Sequence, residues 1–235
     1  MTNQQQRGTD LDYAVDIVLC VDATSSMGPT LDNVKDSALS FPGRRAEEMA
    51  RKGRGIKSLR LKVIAFRDFG DYADDALVES KFLRVPEELA AFERTVRALT
   101  PGGGGDLPES GLEALAVAIG SEWETGLDRR RHVIVMFTDA PAHRLGDPRQ
   151  TRASTYPRSV PASLDDLFTQ WGHAQSRNAL MENSAKRLLV FAPEEYPWND
   201  IADDWNNTLF FPSTAGEGLE EWEMGEIIAT IANSL

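Results

Sequence analysis

The chain has one cysteine and three histidines in 235 residues, and it is short of basic side chains relative to acidic ones. A lone thiol, Cys20, cannot build an internal disulfide framework or a thiolate metal cluster, which leaves a reducing compartment open to it. The formal net charge of −12 argues against nonspecific binding to nucleic acid or to an anionic membrane, since both need clustered Lys and Arg to neutralise phosphates. Long hydrophobic runs are missing too. Nothing approaches the ~20 apolar residues of a membrane-spanning helix, and the opening MTNQQQRGTD lacks the apolar stretch of a signal peptide. There is no repeat, low-complexity tract or linker. The expectation is a cytoplasmic globular protein, with residues 1–12 as a tail and 13–235 as one domain able to bury a full core.

What is present alternates. VDIVLCV (15–21) is continuously apolar, as a strand covered on both faces is, and residues 30–41 then place Leu31, Val34, Ala38 and Phe41 at helical spacing. The stretch RRAEEMARKGRG restarts a helix after Pro42 and Gly43. LRLKVIAF (59–66) reads as a strand, and ALVESKFL (76–83) as a weaker one whose charges suit a sheet edge. VPEELAAFERTVRALT and LPESGLEALAVAIGSEW read as helices opened by proline. RHVIVMFTD (131–139) is a second fully apolar strand. A polar loop over 141–161 follows, then a helix near 163–184, the strand RLLVFAP, a short helix containing Trp205, the strand TLFFPS and a closing helix in MGEIIATIANSL. This pattern predicts an α/β fold of the doubly wound, Rossmann-like kind: a mostly parallel sheet with one antiparallel edge strand and helices on both faces.

In such sheets ligands sit at the carboxyl ends of the strands, and Asp22 and Asp139 each end an apolar run. Asp22, Thr24 and Ser26 alternate in the turn that follows the first, offering a carboxylate and two hydroxyls to one centre. Hard oxygen ligands suit Mg²⁺, or Mn²⁺. The same residue types also serve as a helix N-cap cluster.

DATSSMG, with Asp22, Thr24 and Ser26, resembles the first loop of the metal-ion-dependent adhesion site in the von Willebrand factor type A family. TPGGGGDLPESGLEAL looks like the branch with Gly-Gly-Gly-Asp-x-Pro-Glu in its second loop, which assigns Asp106, and VIVMFTDAP matches the third loop through Asp139. VIAFRDFGD is similar to bacterial and kinase-associated members. The resemblance spans roughly residues 13–235 and implies a bacterial, intracellular, non-enzymatic module. It would hold Mg²⁺ or Mn²⁺ on Asp22, Thr24, Ser26, Asp106 and Asp139 and dock a partner protein there. Ser25 stands where many members have glycine. Asp106, where adhesion receptors have threonine, adds a carboxylate and makes an acidic partner less assured. The alternative is a phosphatase-like, metal-assisted hydrolase on the same ion, although no second aspartate or matched lysine supports the haloacid-dehalogenase type.

Further residues carry lesser expectations. The glycines at 102–105 lack the Gly-Lys-Ser/Thr of a phosphate-binding loop. Cys20 reads as a buried small hydrophobe, Arg67 and Asp68 as an ion pair, and His143 as an exposed loop histidine rather than a base for Ser26. Arg144, Arg149, Arg152 and Arg158, against the single acid Asp147, form a candidate dock for a partner, with Tyr196 and Trp198 as candidate aromatic anchors.

Overall fold

The computed structural model describes residues 13–28, 31–32, 35–36, 39, 56–71, 74–104, 107–127, 129–173 and 176–213. The expected tail at 1–12, the RRAEEMARKGRG helix, Asp106 and the closing helix lie outside the described residues.

Seven strands are described: β1 (Tyr13–Asp22), β2 (Ile56–Phe66), β3 (Leu77–Glu79), β4 (Leu83–Val85), β5 (Arg129–Phe137), β6 (Lys186–Pro193) and β7 (Thr208–Ser213). They form one sheet in the order β3-β2-β1-β5-β6-β7, with β4 also paired to β2. β2, β1, β5, β6 and β7 run parallel to their neighbours, while β3 and β4 run antiparallel to β2. The expected antiparallel edge is therefore present, broken in two. Ser80 causes the break: its backbone amide donates to Val63 O, and its hydroxyl, in place of a carbonyl, accepts from Val63 N.

Alternate residues of a strand point to opposite faces, and here both faces are apolar. Val15, Ile17, Leu19 and Val21 pack with Val133, Val135 and Phe137 under Phe92 and Val96 of α1 (Leu89–Arg97). Val18 and Cys20 pack with Ile134 and Met136 on the other face. Covering them there are α2 (Gly111–Ile119), α4 (Leu164–Trp171) and α5 (Trp198–Asp204); α3 (Pro148–Thr151) is a single turn capped by Asp147. Helices on both faces are what continuous apolar strands require. Residues 31, 32, 35, 36 and 39 are helical, as their spacing predicts. Cys20 is buried, and burial drives its thiol far above the usual range.

Two helices are shorter than their sequence patterns suggest. The stretch at 163–184 is helical only to Trp171, because Gly172 adopts φ 81° and turns the chain away. Pro108 and Glu109 stay outside α2, which starts after Ser110. Trp205 is the residue that ends α5. No helix of the described residues is long and apolar enough to cross a membrane.

Glu113, on α2, is fully buried. Tyr156 Oη donates to its Oε1 at 3.1 Å, and its Oε2 has no partner among the described residues. Burial outweighs the Tyr156 hydrogen bond and pushes the carboxyl up from 4.5 to about 7. A raised acid keeps its proton in the fold, so its contribution is fully present below pH 4.5 and is lost as the pH rises through about 7. Glu113→Gln is expected to gain about 3 kcal/mol on the wild type between about pH 5 and about pH 8 in urea denaturation. A pH-independent difference would show that the carboxyl ionises freely.

Candidate functional site

β1 and β5 are parallel neighbours with Val21 opposite Phe137, so Asp22 and the pair Thr138–Asp139 leave the sheet side by side at its C-terminal rim. Asp22 is fully buried with both oxygens engaged. Oδ1 accepts from Thr24 N at 2.9 Å and from Thr24 Oγ1 at 2.6 Å, and Oδ2 accepts from Thr138 Oγ1 at 2.7 Å. Ser26 Oγ donates to Asp139 Oδ1 at 3.2 Å and lies 3.1 Å from Thr24 Oγ1. Each hydroxyl has one hydrogen. With those hydrogens directed to Asp22 and Asp139, the two hydroxyl oxygens meet through lone pairs. Asp22, Thr24 and Asp139 are buried and Ser26 is exposed, so the oxygen chain opens to solvent at Ser26.

The geometry adds Glu109. It is buried, with Oε2 unpartnered among the described residues. Its backbone is tied to the Asp139 loop, donating to Pro141 O at 3.0 Å and accepting from His143 N at 2.9 Å. Gly104 explains how its carboxyl reaches the site. A Cβ at Gly104, whose φ is +77°, would lie 2.8 Å from Glu109 Oε1 and 2.9 Å from Thr24 Cβ, so only glycine lets these groups approach across the loop.

Electrostatics make the cluster costly as it stands. Burial pushes Asp22 up to about 6, against its hydrogen bonds from Thr24 and Thr138. Burial also raises Asp139, and burial together with Asp22, Asp68 and Asp139 pushes Glu109 up to about 9. Among the described residues no lysine or arginine pairs with any of the three. Asp139 Oδ2 is buried without a hydrogen-bond partner among them. Unpaired buried carboxylates are unfavourable unless protonated or joined by a cation. The donor set of carboxylate and hydroxyl oxygens therefore fits a hard divalent ion. No group of three or more His, Cys, Asp or Glu with metal-binding geometry occurs among the described residues, Glu109 with the two aspartates included; the set is two aspartates and two hydroxyls.

Neighbouring loops lock the arrangement. Ser25 N donates to Gly103 O and Gly102 N to Ala23 O, both at 2.9 Å. Arg67 does not pair with Asp68 as expected from the sequence. Its fork donates to Gly102 O (2.8 Å), Thr100 O (2.7 Å) and Asp75 O (3.0 Å), because the carbonyls of the glycine loop lie across the rim from the end of β2. Asp68 instead accepts from Gly70 N at 3.0 Å and faces His143 Nε2 at 3.6 Å. His143 is correspondingly buried, not exposed, lying between Asp68 and Asp147. Ser26 hydrogen-bonds Thr24 and Asp139, not His143.

Of the two aromatic anchors, Trp198 is overturned. It is fully buried at the start of α5, in the core on α2, with Nε1 donating to Ala140 O at 2.9 Å. Tyr196 is half-buried at the rim beneath Arg144, whose guanidinium lies 4.6 Å from its ring centre. Arg144, Arg149, Arg152 and Arg158 are all exposed, and Arg149 pairs with Asp147 at 3.0 Å. Sequence reasoning missed Glu109 and Thr138. Pro-Glu after Asp106 was the available signal for the first, but it also reads as a helix start; Thr138 had only its place before a strand-end aspartate.

No family model matches the chain. The alpha-protein kinase vwkA of Dictyostelium discoideum is 28% identical over 157 residues, 66% of this chain and 23% of the kinase. The pilus adhesin SpaC of Lactobacillus rhamnosus GG superposes over 93% of this chain and 30% of its own length, with a TM-score of 0.53 at 11% identity. The two share an α/β fold. This chain spans less than a third of either protein. The vWF domain of the type V pili tip protein Mfa5 from Porphyromonas gingivalis aligns with 93% of this chain and 95% of that domain, at 16% identity and a TM-score of 0.47.

Proposed function

We propose that this chain is a metal-dependent protein-binding module in which Asp22, Thr24, Ser26 and Asp139, with Asp106 from the glycine loop and Glu109 beside them, hold Mg²⁺ or Mn²⁺ at the C-terminal rim of the sheet. The observation that carries the reading is the chain of oxygens from Thr138 to Asp139, buried except at Ser26, whose carboxylates no described cation neutralises. When bound, the ion would cancel that charge and present an electrophilic centre to a ligand oxygen of the partner. The protein's own residues do the rest. Thr138 and Thr24 orient Asp22, Ser26 orients Asp139, and the glycine loop seals the inner side. Likeness in fold to a pilus adhesin supports a surface that grips another protein. The partner meets the rim through the loop bearing Arg144, Arg149, Arg152 and Arg158 and through Tyr196. In this reading the chain performs no turnover of its own.

Calorimetric titration of chelator-treated protein with Mg²⁺ and Mn²⁺ tests the site. One saturable site is expected in the wild type, weakened at least about a hundredfold in the Asp22→Ala, Asp139→Ala double variant, because each removed ligand costs roughly a factor of ten or more. Equal titrations for both proteins would reduce the oxygens to a capping cluster.

A further inference from the structure

We infer that Arg144, laid on the ring of Tyr196, is a carboxylate-reading subsite that receives an Asp or Glu side chain from an extended acidic segment of the partner protein. The inference rests on the protein-binding reading above and names the partner's chemistry. Two clefts, of about 340 and 330 Å³, are both lined by Arg144 and Tyr196. The first also has Pro108 and Pro141 in its walls, the chain neighbours of Glu109 and of the Asp139 turn, so the guanidinium lies on the same rim as the proposed metal centre.

Arg144 is presented rigidly. Ala142, His143 and Leu145 are buried around it. Ala142 N donates to Tyr196 O at 3.2 Å, His143 N to Glu109 O at 2.9 Å, and Asp147 N to Arg144 O at 3.2 Å. The guanidinium itself stacks on Tyr196 at 4.6 Å. Such a fork has already lost much of its side-chain freedom, so engaging a carboxylate in two hydrogen bonds orders little more.

Among the described residues Arg144 forms no direct ion pair, whereas Arg149 is held by Asp147. An exposed, stacked arginine with no direct ion pair is locally complementary to a single carboxylate, against the chain's overall net charge of −12. The surrounding acids select among anions. Glu195 lines the first cleft and Asp165 and Asp200 the second, and they oppose a dianionic phosphate more strongly than a singly charged carboxylate.

The test is fluorescence anisotropy with a labelled peptide of alternating Glu and Ser, its Gln counterpart and its phosphoserine counterpart, run with Mn²⁺ and with chelator. The Glu peptide is expected to bind the wild type more tightly than either of the others. Arg144→Gln should weaken it about tenfold or more, Arg144→Lys should fall between, and Arg97→Gln, at an exposed arginine of α1 outside the rim loops, should leave it unchanged. No binding of the Glu peptide to the wild type, equal binding of the Gln peptide, preference for the phosphoserine peptide, or equal behaviour of the Arg144→Gln and Arg97→Gln variants would each overturn the subsite. Mn²⁺ titration of Arg144→Gln separates the two readings. If the wild type takes up no Mn²⁺ while peptide binding still depends on Arg144, the metal centre fails and the subsite stands.

Discussion

Saturating Mn²⁺ should raise the unfolding midpoint of the wild-type chain by about 5–10 °C and leave an Asp139→Asn variant almost unmoved. The size follows from mass action. An ion that binds only the folded state adds about 2.7 kcal/mol at a hundred times its dissociation constant, and a chain of this length moves ~2–4 °C per kcal/mol. The sign for the variant follows from the site. Asp139 is buried, its Oδ2 has no described partner, and its neighbours Asp22 and Glu109 are carboxyls raised by burial. Removing its charge relieves repulsion in the metal-free protein and deletes a ligand at the same time. Asp139→Asn should therefore melt at or above the wild type in chelator and below it in Mn²⁺. That crossing of the two midpoints, read by differential scanning calorimetry, is the signature. A variant less stable in both media would mean that Asp139 serves the fold through its hydrogen bond with Ser26 and not through an ion.

At the opposite end of the sheet, Arg60→Met should cost about 3–5 kcal/mol, on the order of 10 °C in midpoint. Asp16 and Arg60 are opposite each other on β1 and β2. The carboxylate is fully buried, and the guanidinium meets it with two parallel bonds, Nε to Oδ1 at 2.8 Å and Nη2 to Oδ2 at 2.6 Å. Arg60 also donates to Glu122 O and lies over the Phe82 ring at 4.6 Å, while Glu124 N donates to Asp16 Oδ2 at 2.7 Å. Methionine keeps most of the apolar stem against Phe82 but leaves a buried carboxylate with a single amide donor. The double variant Asp16→Leu, Arg60→Met removes the stranded charge as well and should recover most of the loss, because buried pairs contribute less than one partner's removal suggests. Guanidinium-chloride unfolding of the two variants decides it. A single variant within about 1 kcal/mol of the wild type would show that water replaces the arginine.

The strand ends were legible because their residues allow few other readings. A run such as VDIVLCV must be covered on both faces, and Asp22 marks where it emerges; the same holds for Asp139 after β5. Trp198 and His143 were misread for a shared reason. Both follow a strand by a few residues, and sequence alone does not say which way a short irregular segment turns its side chains. Tyr196 and Trp198 are two residues apart, yet one lies under Arg144 at the rim and the other is in the core. Arg67 and Asp68 are adjacent and opposite in charge, but just beyond the end of β2 their side chains diverge, one to the glycine loop and the other to His143.

By itself, then, the sequence determined the alternation of strands and helices, the parallel sheet and the two aspartates at its rim, because continuous apolar runs of strand length leave the chain no other way to exclude water. The tertiary structure decided what meets them. Ser26 reaches Asp139 across 113 residues, and Thr138 reaches Asp22 across 116. Glu109 enters because Gly104 has no side chain. Those contacts depend on the register of β1 against β5 and on how three loops close over one rim, and both are fixed by packing between distant segments rather than by any local pattern.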